Sequence, residues 1–331
     1  MVSVGAVDRT SYKTLASSQA ILGRLLGEPR ARQLLAHFQE GPQGLTCKYY
    51  DQPHLIGPKK YVHAGQRISP ILLGSLADLA FYEVEGIPEE YKKEGRRIVM
   101  PFLQTYLLIP TRSGKMVMII DDHTHAAFGW ALAREARLTG EKAAIIRLDL
   151  HEDCDPLQPP YPRSARLTLE DIADYTWGQL EISNFTSLMV DEFETPAGTV
   201  IDYRKIHYVL PHLSGKGVMK PTGYYESDNP QTSQQLDGLR TSLEKVPEVI
   251  AGLRQEGKSV ICDTDLDFFF GFHRPDYRPA FSREETLQRV IEAAHLSDFV
   301  TLATSPNYFL VPDQRTETKF LLTRIVEALD R

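Results

Sequence analysis

The sequence predicts an α/β fold: a mostly parallel central sheet with helices on both faces. Two patterns carry this prediction. From about residue 100, short β-rich apolar runs alternate with helical stretches. Strands that are apolar throughout belong to sheets covered on both sides. Acids and histidines then stand at the ends of three such runs: Asp122-His123 after MVMII, Asp149 to Asp153 (DLHED) after AAIIRL, and Asp263 to Asp267 (DTDLD) after SVIC. In open parallel sheets ligands bind beyond the carboxyl ends of the strands, so the fold and the site are read from different features and agree.

Along the chain, residues 1–98 differ in texture from the rest and read as an N-terminal helical extension packed on a core of residues 99–331. SSQAILGRLLGEPRARQLLAHFQE has the spacing of one or two amphipathic helices, broken near Gly27–Pro29. SPILLGSLADLAFYEVEG reads as a further apolar helix or helix pair, and EEYKKEGRR as a solvated surface segment. The expected strands are LQTYLLI, KMVMII, AAIIRLDL, KIHYVLP, KSVICDTD and FVTLATS. The expected helices are AAFGWALAREARL, QQLDGLRTSLEKVPEVIAGLRQ, REETLQRVIEAAHL and TETKFLLTRIVEALD. The Pro-rich stretch Pro156–Pro162 follows the second acidic cluster and reads as a loop lining the cleft.

Composition narrows the function classes. The chain is 42% hydrophobic and 24% charged over 331 residues, ordinary for a globular protein with a sizeable core. Net charge is −7 and no long basic block occurs, so nucleic acid is not an expected partner. No apolar run approaches the ~20 residues of a membrane helix, and the N-terminus lacks the apolar core of a signal peptide. The cytoplasm is the expected location. Cys47, Cys154 and Cys262 share no CxxC spacing and do not suggest a disulfide framework. They read as small buried residues.

The clusters point to metal chemistry. Residues two apart on an extended segment face the same side. Asp149, His151 and Asp153 can therefore converge, as can Asp263, Asp265 and Asp267. His123, or His125 two residues on, could add a nitrogen from a neighbouring strand. Carboxylate oxygens with two imidazoles suit a hard or borderline ion such as Mn(II). Five or six ligands suit two ions, in the manner of binuclear hydrolases. Glu152 faces away if the segment is extended. Glu181 and Asn184 are candidates to hydrogen-bond a substrate, and equally cap or turn residues. Asn307 and Tyr308 follow the last strand as turn or cleft residues. His207 and His212 flank a strand and read as structural.

At these residues the chain resembles the arginase and agmatinase (ureohydrolase) superfamily, whose three-layer fold is shared with metal-dependent deacetylases. IIDDHTH, LDLHEDC and CDTDLDFFFG stand where that superfamily carries Gly-Gly-Asp-His, DAHxD and DxDxxDP. The chain is similar in particular to a divergent branch containing peptide arginases, through DLDFF, LEISNF with Asn184, and VTLATSPNYF. The match covers roughly residues 115–315. The resemblance implies two Mn(II) ions held by His123, Asp149, His151, Asp153 and a pair from the third motif. That pair is Asp263/Asp265 or Asp265/Asp267, with the remaining aspartate behind it. It also implies a hydrolase converting peptidyl arginine in a ribosomal precursor peptide to ornithine and urea. No residue matches the superfamily's proton-shuttle histidine by motif, and Asp122 or His125, beside the ligands, is the expected proton donor. Two departures stand out. Ile119 and Ile120 replace the paired glycines, and Phe268-Phe269 replaces the Asp-Pro. A small-molecule ureohydrolase, a zinc deacetylase and a non-catalytic, metal-containing peptide-binding protein are the rival readings. A homo-oligomer is compatible with the resemblance, and no interface is legible.

Overall fold

A computed structural model describes residues 15–36, 105–120, 123–151, 153, 168–169, 172, 176, 185–186, 201–209, 240–273, 279–305 and 314–331, with short strands between 38 and 100 and at 213–214 and 217–218. Seven strands form the central sheet: β1 Ser69–Leu73, β2 Thr105–Pro110, β3 Met116–Ile120, β4 Ala143–Leu148, β5 Ile201–Val209, β6 Val260–Asp265 and β7 Phe299–Ala303. Their spatial order is β5-β4-β6-β7-β3-β2-β1. From β5 to β3 every neighbouring pair is parallel. β2 runs antiparallel to β3, and β1 parallel to β2. The reversal at β2–β3 has a local cause. Only a tight turn joins the two strands, with Gly114 at φ 82° and the Thr111 and Lys115 backbones hydrogen-bonded at 2.8 Å. Such a turn connects antiparallel strands, whereas parallel neighbours need a long crossover.

Alternation along the strands divides the core into two layers. Met118, Ile120, Ile145, Ile206, Ile261 and Phe299 face one side. There they meet α1 (Leu15–Leu26), α2 (Glu28–Leu35) and α3 (Ala126–Glu135). Val117, Ile119, Ile146, Val260, Cys262 and Val300 face the other. There they meet α4 (Val246–Gln255), α5 (Arg283–Leu296) and α6 (Gln314–Leu329). This is the expected three-layer arrangement. α3 lies close on the sheet because it carries Gly129. A Cβ at that position would stand 2.7 Å from Met118 Sδ, so the Met118 side chain would have to shift. α5 begins with a reciprocal capping box, in which Ser282 and Glu285 each accept from the other's backbone N–H.

EEYKKEGRR, expected as a surface segment, lies in a hairpin, Glu89–Lys93 paired with Arg96–Met100. Two expectations need correction. SPILL, expected as the start of a helix, is the edge strand β1. Its apolar side chains suit a strand as well as a helix, and periodicity does not separate the two in short runs. Within QQLDGLRTSLEKVPEVIAGLRQ, expected as one long helix, the described residues before Val246 are a bridge at Arg240 and a 3-10 turn at Leu243–Lys245, and the α-helix starts at Val246, with Pro247 in its first turn. Proline lacks the N–H an earlier start would need. Cys47 lies in a short strand, and Cys154, His212, Asn307, Tyr308 and the Pro-rich stretch fall outside the described residues. Among the described residues no helix is long and apolar enough to cross a membrane.

Cys262 is buried on β6, and that burial pushes its thiol up to about 12. The native protein at pH 8 should therefore leave Cys262 unmodified by iodoacetamide, and denaturation should expose it. Peptide mass mapping of native and denatured samples checks this. Rapid native labelling of Cys262 would contradict its place in the core.

Candidate metal centre

The polar residues rise from one face of the sheet. In β4 and β6 the residues facing α3 are apolar at the start of each strand and polar at its end, and in β7 Thr301 stands between Phe299 and Ala303. Arg147 pairs across the ladder with Asp263, Asp263 with Thr301, and Thr301 with Met118. One row further along, Asp265 pairs with Ala303 and Ala303 with Ile120, so the middle of that row presents only a methyl. Asp149 follows the last residue of β4. β6 runs straight into a 3-10 segment, Leu266–His273, that carries Asp267. His123 opens the 3-10 turn leading into α3 and hangs over the polar row from the helix layer.

His123 is the hub. Its ring is fully buried, and Nε2 lies 2.7 Å from Asp263 Oδ2. Nδ1 lies 3.1 Å from Asp149 Oδ2, 3.0 Å from Asp265 Oδ2 and 3.5 Å from Asp153 Oδ2. None of these oxygens is placed to complete a hydrogen bond, so Nδ1 is a buried nitrogen with no hydrogen-bond partner. Three oxygens and a nitrogen around one point are the arrangement of ligands around a cation. His123, Asp149 and Asp265 could hold a metal ion, and so could Asp149, His151 and Asp267. Asp149 belongs to both groups. In the second, His151 Nδ1 lies 2.9 Å from Asp267 Oδ2 and 3.7 Å from Asp149 Oδ1. Asp267 Oδ2 is itself buried without a hydrogen-bond partner. His151 is the open member, with 35% of its side chain exposed, whereas Asp267 is fully buried.

Supporting bonds hold this geometry. Thr301 Oγ1 donates to Asp263 Oδ1, and Ser305 Oγ donates to Asp265 Oδ2 at 2.5 Å. Leu150 N–H donates to Asp267 Oδ1 at 3.3 Å, Asp267 N–H to Asp265 Oδ1 at 3.1 Å, and His151 N–H to Asp149 Oδ1 at 2.8 Å. Phe185 packs against both the His123 ring and the Arg147 guanidinium, each at 4.9 Å. Asp153 and Ser305 adopt positive φ, 44° and 38°. Non-glycine residues hold that conformation only where surrounding contacts over-determine it, and such strain gathers at functional sites.

The electrostatics show an excess of negative charge. Five aspartates face one permanent cation, the fully buried Arg147. Its Nη2 bonds Asp149 Oδ2 and lies 3.0 Å from Asp153 Oδ2. Burial, reinforced by Asp265 and Asp149, pushes the Asp267 carboxyl well above the usual carboxylate range. Burial also raises Asp265, although His123 pulls the other way. Asp149 falls well below that range, because Arg147 and then the two histidines outweigh its burial. Burial opposes charge on His123, yet Asp263 and Asp265 raise its pKa well above that of a free imidazole. Packing around His151 likewise opposes charge there, and Asp267 and Asp149 overcome it. Such a cluster is costly without compensating cations.

The structure thus gathers His123, Asp149, His151, Asp153, Asp263, Asp265 and Asp267 at one end of the sheet. Neither ligand group contains Asp263, which stands behind His123 instead. His123 reaches the aspartates, while His125 ends the same turn outside both groups. His207, structural by expectation, lies 3.1 Å from Thr241 Oγ1 through Nδ1. Asp122, Glu152, Glu181 and Asn184 lie outside the described residues. Sequence reasoning missed Arg147, Phe185, Thr301 and Ser305. Arg147 had a signal, a lone charge inside the apolar run AAIIRL. Phe185, Thr301 and Ser305 lie within the quoted segments LEISNF and VTLATS, but nothing in their residue types marks them.

No known family profile and no curated protein matches the chain. Solved structures similar to it include formimidoylglutamase from Bacillus subtilis subsp. subtilis str. 168, at 11% identity and TM-score 0.41 over 69% of this chain and 62% of that one. An arginase from Bacillus subtilis follows at 14% identity and TM-score 0.38, over 65% of this chain and 71% of that one. A hypothetical agmatinase from Burkholderia thailandensis shows 12% identity and TM-score 0.38, over 66% and 59%. The chain thus spans under two thirds of the formimidoylglutamase and agmatinase structures.

The division of ligands predicts different metal contents for two variants. Asp267→Ala should lower bound metal by one ion per chain. Asp263→Ala should keep the stoichiometry and weaken affinity by about 10- to 100-fold, the usual effect of losing a residue that orients a ligand. Metal analysis after equilibrium dialysis distinguishes them, and loss of an ion in Asp263→Ala would place that residue among the ligands.

Proposed function

We propose that this chain is a binuclear manganese hydrolase that cleaves the guanidinium of peptidyl arginine, leaving ornithine and releasing urea. The observation that carries the reading is the sharing of Asp149 between two ligand groups, one with a buried unpartnered nitrogen and the other with a buried unpartnered oxygen. Five aspartates against Arg147 leave a formal excess of four negative charges, which two divalent ions would balance. The donors are carboxylate oxygens and imidazole nitrogens, a set that suits Mn(II). Cys262 lies on the opposite face, so its thiolate takes no part.

Each side chain then has a task. Asp149 presents Oδ2 toward His123 and Oδ1 toward His151, as a carboxylate serving two ions would. Asp263 takes up Nε2 of His123 and leaves Nδ1 for a ligand. Ser305 fixes Asp265, and Phe185 shields the inner position. His151, at the open edge, marks the side from which a substrate enters. When bound, two divalent ions supply a water acidic enough to attack at neutral pH. The reaction adds one water across a C–N bond. The guanidinium carbon leaves as urea, and the side-chain nitrogen stays as the amine of ornithine. Asp122 and His125 are the candidates to return a proton to that nitrogen. A cationic guanidinium is also drawn to an acidic site.

The choice of a peptide over free arginine rests on DLDFF, LEISNF and VTLATS, which resemble the peptide-arginase branch. Phe268 and Phe269, which follow Asp267 in DLDFF, are fully buried in the second core layer. The partner is then an arginine-containing precursor peptide, and the setting the cytoplasm.

Protein loaded with Mn(II) should release urea from an arginine-containing peptide and shift the peptide mass by loss of CH2N2, with free arginine run in parallel. Conversion of free arginine alone would point to a small-molecule ureohydrolase. No urea from either, with two ions bound, would sink the guanidinium reading. Asp149→Ala should abolish both metal binding and turnover, and retained activity in that variant would overturn the assignment of the centre.

A further inference from the structure

The two proposed metal positions are not alike, and the difference lies in Arg147. Its guanidinium is fully buried and carries a charge at every accessible pH. Nη2 bonds Asp149 Oδ2 and reaches Asp153 Oδ2 at 3.0 Å. Those same two oxygens face His123 Nδ1, at 3.1 and 3.5 Å. On the other side, Asp149 turns Oδ1 toward His151, and Asp267 Oδ2 has no hydrogen-bond partner. The guanidinium therefore shares carboxylate atoms with the His123 position and none with the His151 position. It is also anchored. Nη1 donates to Thr186 Oγ1, Phe185 lies over its face at 4.9 Å, and Nε stands 3.7 Å from Asp263 Oδ2. Held in this way, it stays beside the His123 position when an ion arrives.

We infer that Arg147 grades the metal pair: the Asp149–His151–Asp267 position fills first, and the His123–Asp149–Asp265 position fills second and more weakly. The inference rests on the binuclear reading above. A fixed positive charge a few ångströms from an entering divalent ion repels it, and the oxygens it already bonds are poorer donors. Arg147 is thus a positioning residue. It keeps Asp149 and Asp153 in place without an ion and sets the order in which ions bind. Its partner Asp263 offsets part of the charge, which explains why an arginine can sit beneath a metal centre at all.

The test is a titration of the metal-stripped full-length chain with Mn(II), following free and spin-coupled manganese by electron paramagnetic resonance. Wild type should show two steps, separated by on the order of 10- to 100-fold in affinity. The spin-coupled signal should appear only in the second step. Asp267→Ala should lose the tight step. Arg147→Met, close in length and uncharged, should tighten the second step by about tenfold or more and bring the two together. Arg147→Lys keeps the charge but cannot bridge Asp149, Asp153 and Thr186 at once, so it should tighten the second step by a smaller factor. It also decides the matter if the methionine variant does not fold by circular dichroism. Equal affinities in wild type, or a second step unchanged in both Arg147 variants, would overturn the inference while leaving the binuclear centre standing. Binding of no ion, or of one, by wild type would instead remove the reading beneath it.

Discussion

The placement of the His123 ring is the constraint on which the rest of the site depends. One nitrogen is taken by Asp263, from the strand beneath, and the other is left among Asp149, Asp153 and Asp265. His123 comes from the helix layer and the aspartates from the sheet layer, so this contact ties the layers together at the carboxyl end of the sheet. α3 can bring it there because Gly129 lets the helix lie close on β3. Packing about one turn into the helix thus bears on the geometry of a polar site at its start.

Burying so many charges calls for a reason beyond stability. Replacing a buried ion cluster by apolar residues is often neutral or stabilising. The cluster also comes with strain, since Asp153 and Ser305 occupy left-handed backbone conformations. Its neighbours are arranged to tolerate the charge rather than to remove it. Thr301, Ser305 and three backbone N–H groups donate to the carboxylates, and Arg147 is enclosed by Phe185 and Thr186. Despite this, Asp267 Oδ2 and His123 Nδ1 lack hydrogen-bond partners. Arg147 Nε also lacks one, but the two ligand atoms fall one in each ligand group, where a cation would meet them.

Much of this was legible in the sequence, and what was not follows from the physics of the particular residues. The six strands expected after residue 100 are strands, because short continuous apolar runs alternating with helical stretches have few other solutions. The residue types of the candidate centre were legible too, since acids and histidines stand at the ends of three of those runs. The choice between Asp263 and Asp267 was not, since a period of two places both on the face of Asp265. It depends on where β6 stops. The strand ends at Asp265, and the 3-10 segment that follows carries Asp267 around to His151. The strand at Ser69–Leu73 was hidden because SPILL is too short for helical and extended periods to differ. Arg147 was visible as a letter, but not its role, because a lone arginine in an apolar strand says only that some anion lies near.

A further consequence follows from the motif's own spelling. Asp263 and Arg147 face one another across the β4–β6 ladder, one row beneath the ligands. An aspartate alone at that depth would add to an already negative cluster, and an arginine alone would oppose any ion above it. Together they cancel locally, and each still acts upward, Asp263 on His123 and Arg147 on Asp149 and Asp153. The third motif therefore has an aspartate more than its ligand groups use for the same reason that the second has an arginine before its first aspartate. The two residues form one device split between neighbouring strands. A single substitution at either position disturbs the centre twice, through the contact it loses and through the partner left buried and unbalanced.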